Sequence, residues 1–196
     1  MNLTCFLGPP SGNEVWIIIL LIAAFTAIWL LSAASKWIAE RIWKGKAKMQ
    51  NVLQEHQLLL GRALPLLESI SEEESSVRPA EGKWSKKEIL GHLIDSASNN
   101  HQRFVRAMLA GEIKLPEYDQ EAWVRTQSYQ TESWHDLVHL WKLYNTHLLH
   151  IVAKIPTERL KSTCFIGENQ PVTLEFLVVD YVRHLKHHLH QILPSP

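Results

Sequence analysis

Eleven histidines in 196 residues, against two cysteines, make imidazole the side chain through which this sequence can do chemistry. Neutral imidazole is the commonest metal ligand and, near neutral pH, the commonest general base. Position decides between these roles. His184 and His188 stand four apart near the C-terminus. At 100° per residue, Leu177, Tyr181, His184, His188 and Ile192 share one helical sector roughly 80° wide, so both rings are expected in the buried stripe of a last helix. An i, i+4 pair on one face can aim two ring nitrogens at a single ion. A lone core histidine is usually one that has found a hydrogen-bond partner; two at ligand spacing favour the ion.

An earlier segment supplies a candidate third ligand. His92, Ser96, Asn99 and Arg103 recur at steps of four, three and four, a polar ridge beside an apolar face, which reads as a pocket wall or as a solvated helix edge. Three neutral imidazoles leave coordination positions open to water or substrate, the pattern of a catalytic rather than a closed site. Asp95 and Asp180 are candidates to accept an imidazole N–H from behind, or ordinary surface carboxylates. Arg103 is a candidate to steer an anionic group, since a guanidinium binds a carboxylate through two bonds, or a surface ion pair. Asp95 and Arg103 are thus the catalytic candidates and His92, His184 and His188 the metal candidates. His135 and His139 repeat the i, i+4 spacing but lie off the Trp134, Val138, Trp141 stripe, and read as surface residues. His147, His150, His187 and His190 read as exposed or structural. No Gly-rich phosphate loop, serine nucleophile elbow or His-Glu-x-x-His is present.

Four amphipathic helices must position these groups. Met49, Val52, Leu53, His56, Leu60, Ala63, Leu67 and Ile70 recur at steps of three and four, a first helix that Pro65 should kink or shorten. Ser71 to Lys83 is polar, holds Pro and Gly and reads as a connection. Ser85-Lys86-Lys87-Glu88 matches a capping box opening a second helix that runs to Gly111. Residues 112–130 read as a loop with a short helical turn around Trp123. A third helix starts near Thr131 or Ser133 and ends before Pro156, and 156–171 is a second long connection. Thr173 is a good N-cap for the last helix, which Pro194 stops. No persuasive strand pattern appears, so the fold class is all-α, a four-helix bundle.

Val15 to Ala34 has twenty residues without a charge, the length needed to cross about 30 Å of hydrocarbon. Trp16 and Trp37 stand roughly 31 Å apart along such a helix, one at each interface. No Lys or Arg precedes the span, whereas Lys36, Arg41, Lys44, Lys46 and Lys48 follow it, which places the C-terminal side in the cytoplasm. A cleaved signal peptide ending at Ser32-Ala33-Ala34 is the rival reading; it lacks the positive n-region and short apolar core of one. Residues 1–14 are then a short extracytoplasmic N-terminus, 15–35 a transmembrane helix, 36–50 a basic juxtamembrane helix and 51–196 the bundle, at the cell inner membrane. Cys5 and Cys164 fall on opposite sides and do not pair. Lys plus Arg balances Asp plus Glu at twenty each, so no overall field attracts nucleic acid, and none is expected as partner.

Two blocks of this sequence resemble the DinB-like superfamily, in particular its YfiT-like branch of metal-dependent hydrolases and thiol transferases. One is GKWSKKEILGHLIDSASNNHQRFVRA, Gly82 to Ala107, with a Trp-Ser helix start, His-x-x-Asp-Ser and a following Arg. The other is DYVRHLKHHLHQI, Asp180 to Ile192, with a His-x-x-His-His ending. The likeness runs from about Leu58 to Ile192, with Tyr118 to Trp123 as a weaker intermediate match. It implies an up-down-down-up bundle, a divalent metal, zinc or nickel foremost, on His92, His184 and His188, and in some members a low-molecular-weight thiol such as bacillithiol. An added transmembrane helix departs from soluble members.

Two functions follow as expectations. In the first, a membrane-anchored metal site presents a thiol to a small electrophile, as an S-transferase, or activates water, as a hydrolase. In the second, the bundle is a non-catalytic accessory subunit of a larger membrane complex, its alanine-bearing span packed on other subunits. A homodimer is a further candidate assembly.

Overall fold

The computed structural model describes residues 12–193, with side chains left out at 12–18, Ile22 and Ile42. Cys5, the Trp16 ring and Pro194 lie outside the described residues. Helix α1 runs Gly12–Glu68, so the apolar stretch, the basic stretch after it and the first amphipathic stretch all fall within it. Pro65 lies inside it, in the last turn, where its missing N–H leaves the Gly61 carbonyl without an intrahelical donor and the helix ends three residues on.

The chain divides into two compact units, Met1–Gly45 and Lys46–Pro196. In the first, the described apolar side chains, among them Leu20, Leu21, Phe25, Trp29 and Leu31, are exposed, and the helix is long and apolar enough to cross a membrane. The Arg41 guanidinium lies over the Trp37 ring, 5.1 Å from its centre, a pairing suited to an interfacial collar.

In the second unit, α2 (Glu72–Ser76) follows α1, capped by Ser71, which accepts from the Glu74 N–H. This corrects the reading of 71–83 as a plain connection. Helix α3 (Lys86–Ala110) has the anticipated capping box, Ser85 and Glu88 bonding each other's backbone N–H. It ends at Gly111, whose φ of 77° would strain any side-chain-bearing residue. Next come β1 (Glu112–Leu115) and α4 (Gln120–Gln127), then a 3-10 turn at Tyr129–Thr131. Helix α5 (Trp134–Ala153) is capped by Ser133. After a second 3-10 turn at Thr157–Lys161 come β2 (Thr163–Ile166), β3 (Val172–Thr173) and α6 (Leu174–Ile192), capped by Thr173.

The two long connections are therefore not bare loops. They form a three-stranded sheet, β1 parallel to β2 and β2 antiparallel to β3, with Ile113 beside Cys164 and Cys164 beside Val172. Strands of two to four residues carry no periodicity that a sequence could display.

Side-chain pairings fix the helix directions. The Trp134 indole at the start of α5 donates to the Leu67 carbonyl at the end of α1, 2.9 Å, so α1 and α5 run oppositely. Lys48 pairs with Glu175, and Glu55, seven residues on, with Lys186, so α1 and α6 run the same way. α3 and α5 both lead into the parallel strands, with the Thr163 N–H donating to the Gly111 carbonyl at 2.8 Å. The order is up, down, down, up. Two parallel neighbours in sequence require the crossover from β1 to the 3-10 turn, and that crossover closes over α3.

Helix α3 is the central element, buried on every side from Lys87 to Ala97. Its Leu90 and Leu93 pack with Leu67, Trp134, Leu137, Trp141, Leu185 and Leu189 at one end, and its Phe104 with Leu148, Cys164, Leu174 and Tyr181 at the other. A polar knot ties α1, α5 and α6 inside this core. His56, 2% exposed, donates from Nε2 to Asn145 Oδ1 at 3.1 Å, and the Tyr181 hydroxyl donates to the same oxygen at 2.5 Å. Burial lowers the His56 pKa to about 4, against a smaller opposing effect of the Asn145 bond.

Candidate metal centre

Because α3 and α6 are antiparallel, His92 in the second turn of α3 faces the last turns of α6, where His184 and His188 lie. Each of the three offers a ring nitrogen, and these atoms all fall within 4.8 Å of one another. His92 Nε2 and His184 Nε2 are 3.1 Å apart, and ring centres are separated by 5.0, 4.7 and 4.5 Å for the pairs 92–184, 92–188 and 184–188. Zinc-to-nitrogen bonds of about 2.0–2.1 Å set tetrahedral ligand nitrogens about 3.4 Å apart, so the cluster needs only small rotations to take an ion. Among the described residues this is the one such convergence of three imidazole, thiol or carboxylate donors.

The positions differ in one respect from the expected buried stripe. The buried line of α6 is Leu174, Leu177, Val178, Tyr181, Val182, Leu185, Leu189 and Ile192, and His184 and His188 flank it, half-buried. His92 is fully buried. One wall of the cluster is thus sealed by α3 and the other faces outward, as an open coordination site requires.

Neighbouring groups orient the rings. His188 Nδ1 donates to Gln191 Oε1 at 2.8 Å, while the Gln191 amide nitrogen donates to His187 Nε2 at 3.2 Å, leaving the His188 Nε2 lone pair free. Ser96 Oγ lies 3.4 Å from His184 Nδ1. The Trp84 ring stands 5.3 Å from that of His92, tilted 44° to it. Burial, then the proximity of the other two imidazoles, lowers His92 to about 3. His184 falls to about 4 through burial first, then His188, with smaller contributions from His187 and Arg183 and Asp180 opposing. His188 is lowered as well, chiefly by burial. All three rings are neutral at pH 7, the form that donates a lone pair to a cation.

The structure places the remaining three candidates out of direct contact with the imidazoles. Asp95 is buried and makes no direct bond to an imidazole: its Oδ1 accepts from the Tyr129 hydroxyl and the Gln127 amide, both at 2.7 Å. Burial raises its pKa against those two bonds. Asp180 pairs with Arg183 at the surface, again with no imidazole. Arg103 does not reach the histidines. Eleven residues beyond His92, it sits about 16 Å along the helix on nearly the same face, in a separate cavity of about 770 Å³ with Glu117, Tyr118 and Ile166. It forms none of the ion pairs found among the described residues.

His135 and His139 are exposed on α5, as anticipated, and His147, His150, His187 and His190 are exposed too. Gln191, Trp84, Gln127 and Tyr129 were not found from the sequence. Gln191 alone carried a signal, standing one helical turn beyond His188.

A family profile described as the DinB superfamily matches residues 56–192. A protein of Oceanobacillus iheyensis, named without demonstration for a metal-dependent hydrolase activity, is 24% identical over 124 residues, 63% of this chain and 71% of that one. YfiT from Bacillus subtilis, described by inference as a metal-dependent hydrolase with an unusual four-helix bundle topology, superposes with a TM-score of 0.61 at 21% identity, over 76% of this chain and 83% of its own. A mycothiol-dependent maleylpyruvate isomerase superposes with a TM-score of 0.62 at 13% identity, over 75% of this chain and 61% of its own. At these identities the structures speak for the fold.

Proposed function

The chain belongs to the DinB superfamily, and from that premise we propose that it is a membrane-anchored metalloprotein with a divalent cation, zinc or nickel, on His92, His184 and His188. The observation that carries this reading is the convergence of three neutral imidazole nitrogens within 4.8 Å, sealed on one side by α3 and open on the other. Bound there, the cation would supply Lewis acidity, lowering the pKa of a thiol or a water that enters the open positions. His188 and His184 are oriented by Gln191 and Ser96, so each delivers its Nε2 to a common point. Trp84 keeps bulk water from the His92 side.

The activity proposed is attack of that activated nucleophile on a small electrophile: S-transfer if it is a thiol, hydrolysis if it is water. The fold shared with a mycothiol-dependent isomerase favours a low-molecular-weight thiol, such as bacillithiol. Arg103, which forms no ion pair among the described residues, would hold an anionic end of such a molecule away from the reacting atoms. The exposed apolar helix would anchor the enzyme in a membrane, N-terminus out, with the bundle on the side of Lys36, Arg41, Lys44, Lys46 and Lys48.

The test is purification in mild detergent, metal analysis and conjugation of a model electrophile with several thiols. Metal-dependent conjugation is the expected result; ester hydrolysis without thiol dependence selects water instead. A stoichiometric complex with other membrane proteins and no metal in the site would replace this reading with that of an accessory subunit.

A further inference from the structure

The hydrogen bonds around the histidines have a direction that can be read from one fixed end. Asn100 Nδ2 donates to the Ser96 carbonyl at 2.9 Å, which fixes the amide as a donor on that side, and it also reaches Ser96 Oγ at 3.4 Å. Ser96 Oγ then accepts from Asn100 and keeps its own proton, which it can donate to His184 Nδ1. In that arrangement neutral His184 carries its proton on Nε2 and donates it to His92 Nε2, 3.1 Å away. Neutral His92 must then hold its proton on Nδ1. That atom is buried with no partner among the described residues.

One turn further along α3 is the complementary group. Asp95 is 3% exposed; its Oδ1 is saturated by Tyr129 and Gln127, and its Oδ2 is buried with no partner. Residues three apart on a helix have Cβ atoms about 5–6 Å apart, so the orphan donor and the orphan acceptor project from neighbouring positions one turn apart. A buried N–H and a buried carboxylate oxygen that close are each costly unless bonded, and one water between them satisfies both.

We infer that Asp95 is a positioning residue that accepts the His92 Nδ1 hydrogen bond on Oδ2 across one buried water, fixing the tautomer that presents the Nε2 lone pair to His184 and His188. This rests on the reading of His92 as a ligand. Tyr129 and Gln127 hold the carboxylate in that attitude from the crossover, and Gly91 allows it: a Cβ there would stand 2.2 Å from Tyr129 Cδ2. The run Gly91-His92-x-x-Asp95 thus has one logic, with a bare position for the tyrosine ring, the ligand, and the ligand's support. In the metal-bound state His184 must surrender its Nε2 proton, so its tautomer reverses while that of His92 does not.

Ring-nitrogen NMR of the metal-free full chain in detergent at pH 8 tests this directly. His92 is expected as the Nδ1–H tautomer, and Asp95→Ala should convert it to a mixture or to Nε2–H. A His92 that carries its proton on Nε2 in the unmutated chain, or that is unchanged in Asp95→Ala, overturns the inference. For metal affinity, measured by competition with a chromophoric chelator, Asp95→Ala should weaken binding about 10–100-fold. Tyr129→Phe, which keeps the ring and removes only the hydroxyl, should weaken it less, in the same direction. Affinities within twofold of the parent for both variants overturn the inference, and if Asp95→Ala does not fold, the parent spectrum and Tyr129→Phe still decide. A chain that takes up no metal yet loses the Nδ1–H tautomer in Asp95→Ala supports the contact and overturns the metal reading alone.

Discussion

Substituting Gly91 by Ala should reverse the usual effect of that change. In a helix interior Gly→Ala stabilises by roughly 0.5–1 kcal/mol, because alanine loses less backbone entropy on folding. At Gly91 the new Cβ would meet Tyr129 Cδ2 at 2.2 Å, Cγ at 2.3 Å and Cε2 at 2.6 Å. Carbon atoms pack at about 3.5–4.0 Å, so the ring must recede by more than 1 Å. It cannot do so freely, being 4% exposed and tethered to Asp95 at 2.7 Å. Overpacking costs about 1–3 kcal/mol and loss of a buried aromatic about 3–5 kcal/mol, so a net destabilisation of about 2–4 kcal/mol follows. At about 2–4 °C per kcal/mol for a domain of this size, Tm should fall by about 4–16 °C. Thermal unfolding by circular dichroism in mild detergent measures it, alone and in a Tyr129→Ala background. In that background the sign should invert, Gly91→Ala then being neutral or stabilising. A single variant as stable as the parent, or an equal penalty in both backgrounds, refutes the reasoning.

The buried His56 should make the protein acid-sensitive. Its folded pKa of about 4 lies below the unfolded value of 6.5, so its neutral-state stability is intact above about pH 6.5 and is lost as pH falls toward 4; about 2 kcal/mol should go between pH 7 and pH 5. Chemical unfolding of the metal-free chain against His56→Gln at both pH values checks this, and equal pH dependence in the two chains contradicts it. An engineered cysteine beside Met1 should label from outside intact cells, and labelling only after permeabilisation reverses the proposed topology. Conjugation should persist below the free thiol pKa of about 8.5 in the metal-loaded chain, with the thiol KM raised and kcat spared in Arg103→Ala; an unchanged KM removes Arg103 from the thiol's path.

Much of the bundle was legible because each helix carries local signals that agree with its burial. The Ser85 to Glu88 capping box, Ser133 and Thr173 all mark helix starts at the residues that cap them. Helix α2 had a comparable mark, Ser71 followed three residues later by Glu74, but no apolar stripe behind it. The sheet was invisible because its pairing is entirely between distant segments. The three histidines were found by phase and spacing, yet phase centred the stripe of α6 on them, when the aliphatic residues beside them fill the core. What surrounds them was not legible: Tyr129 and Gln127 come to Asp95 from a crossover 32 or more residues away, through contacts that leave no periodic trace.

The central claim, one cation on three histidines, is tested most directly by metal stoichiometry. Elemental analysis of the purified chain after reloading and desalting should give one divalent ion in the parent and in the His135→Ala, His139→Ala double variant. It should give close to none in His92→Ala, His184→Ala or His188→Ala, since each removes one of only three protein donors. Full metal content in all three single variants, or loss of metal with the His135, His139 pair instead, would contradict the account.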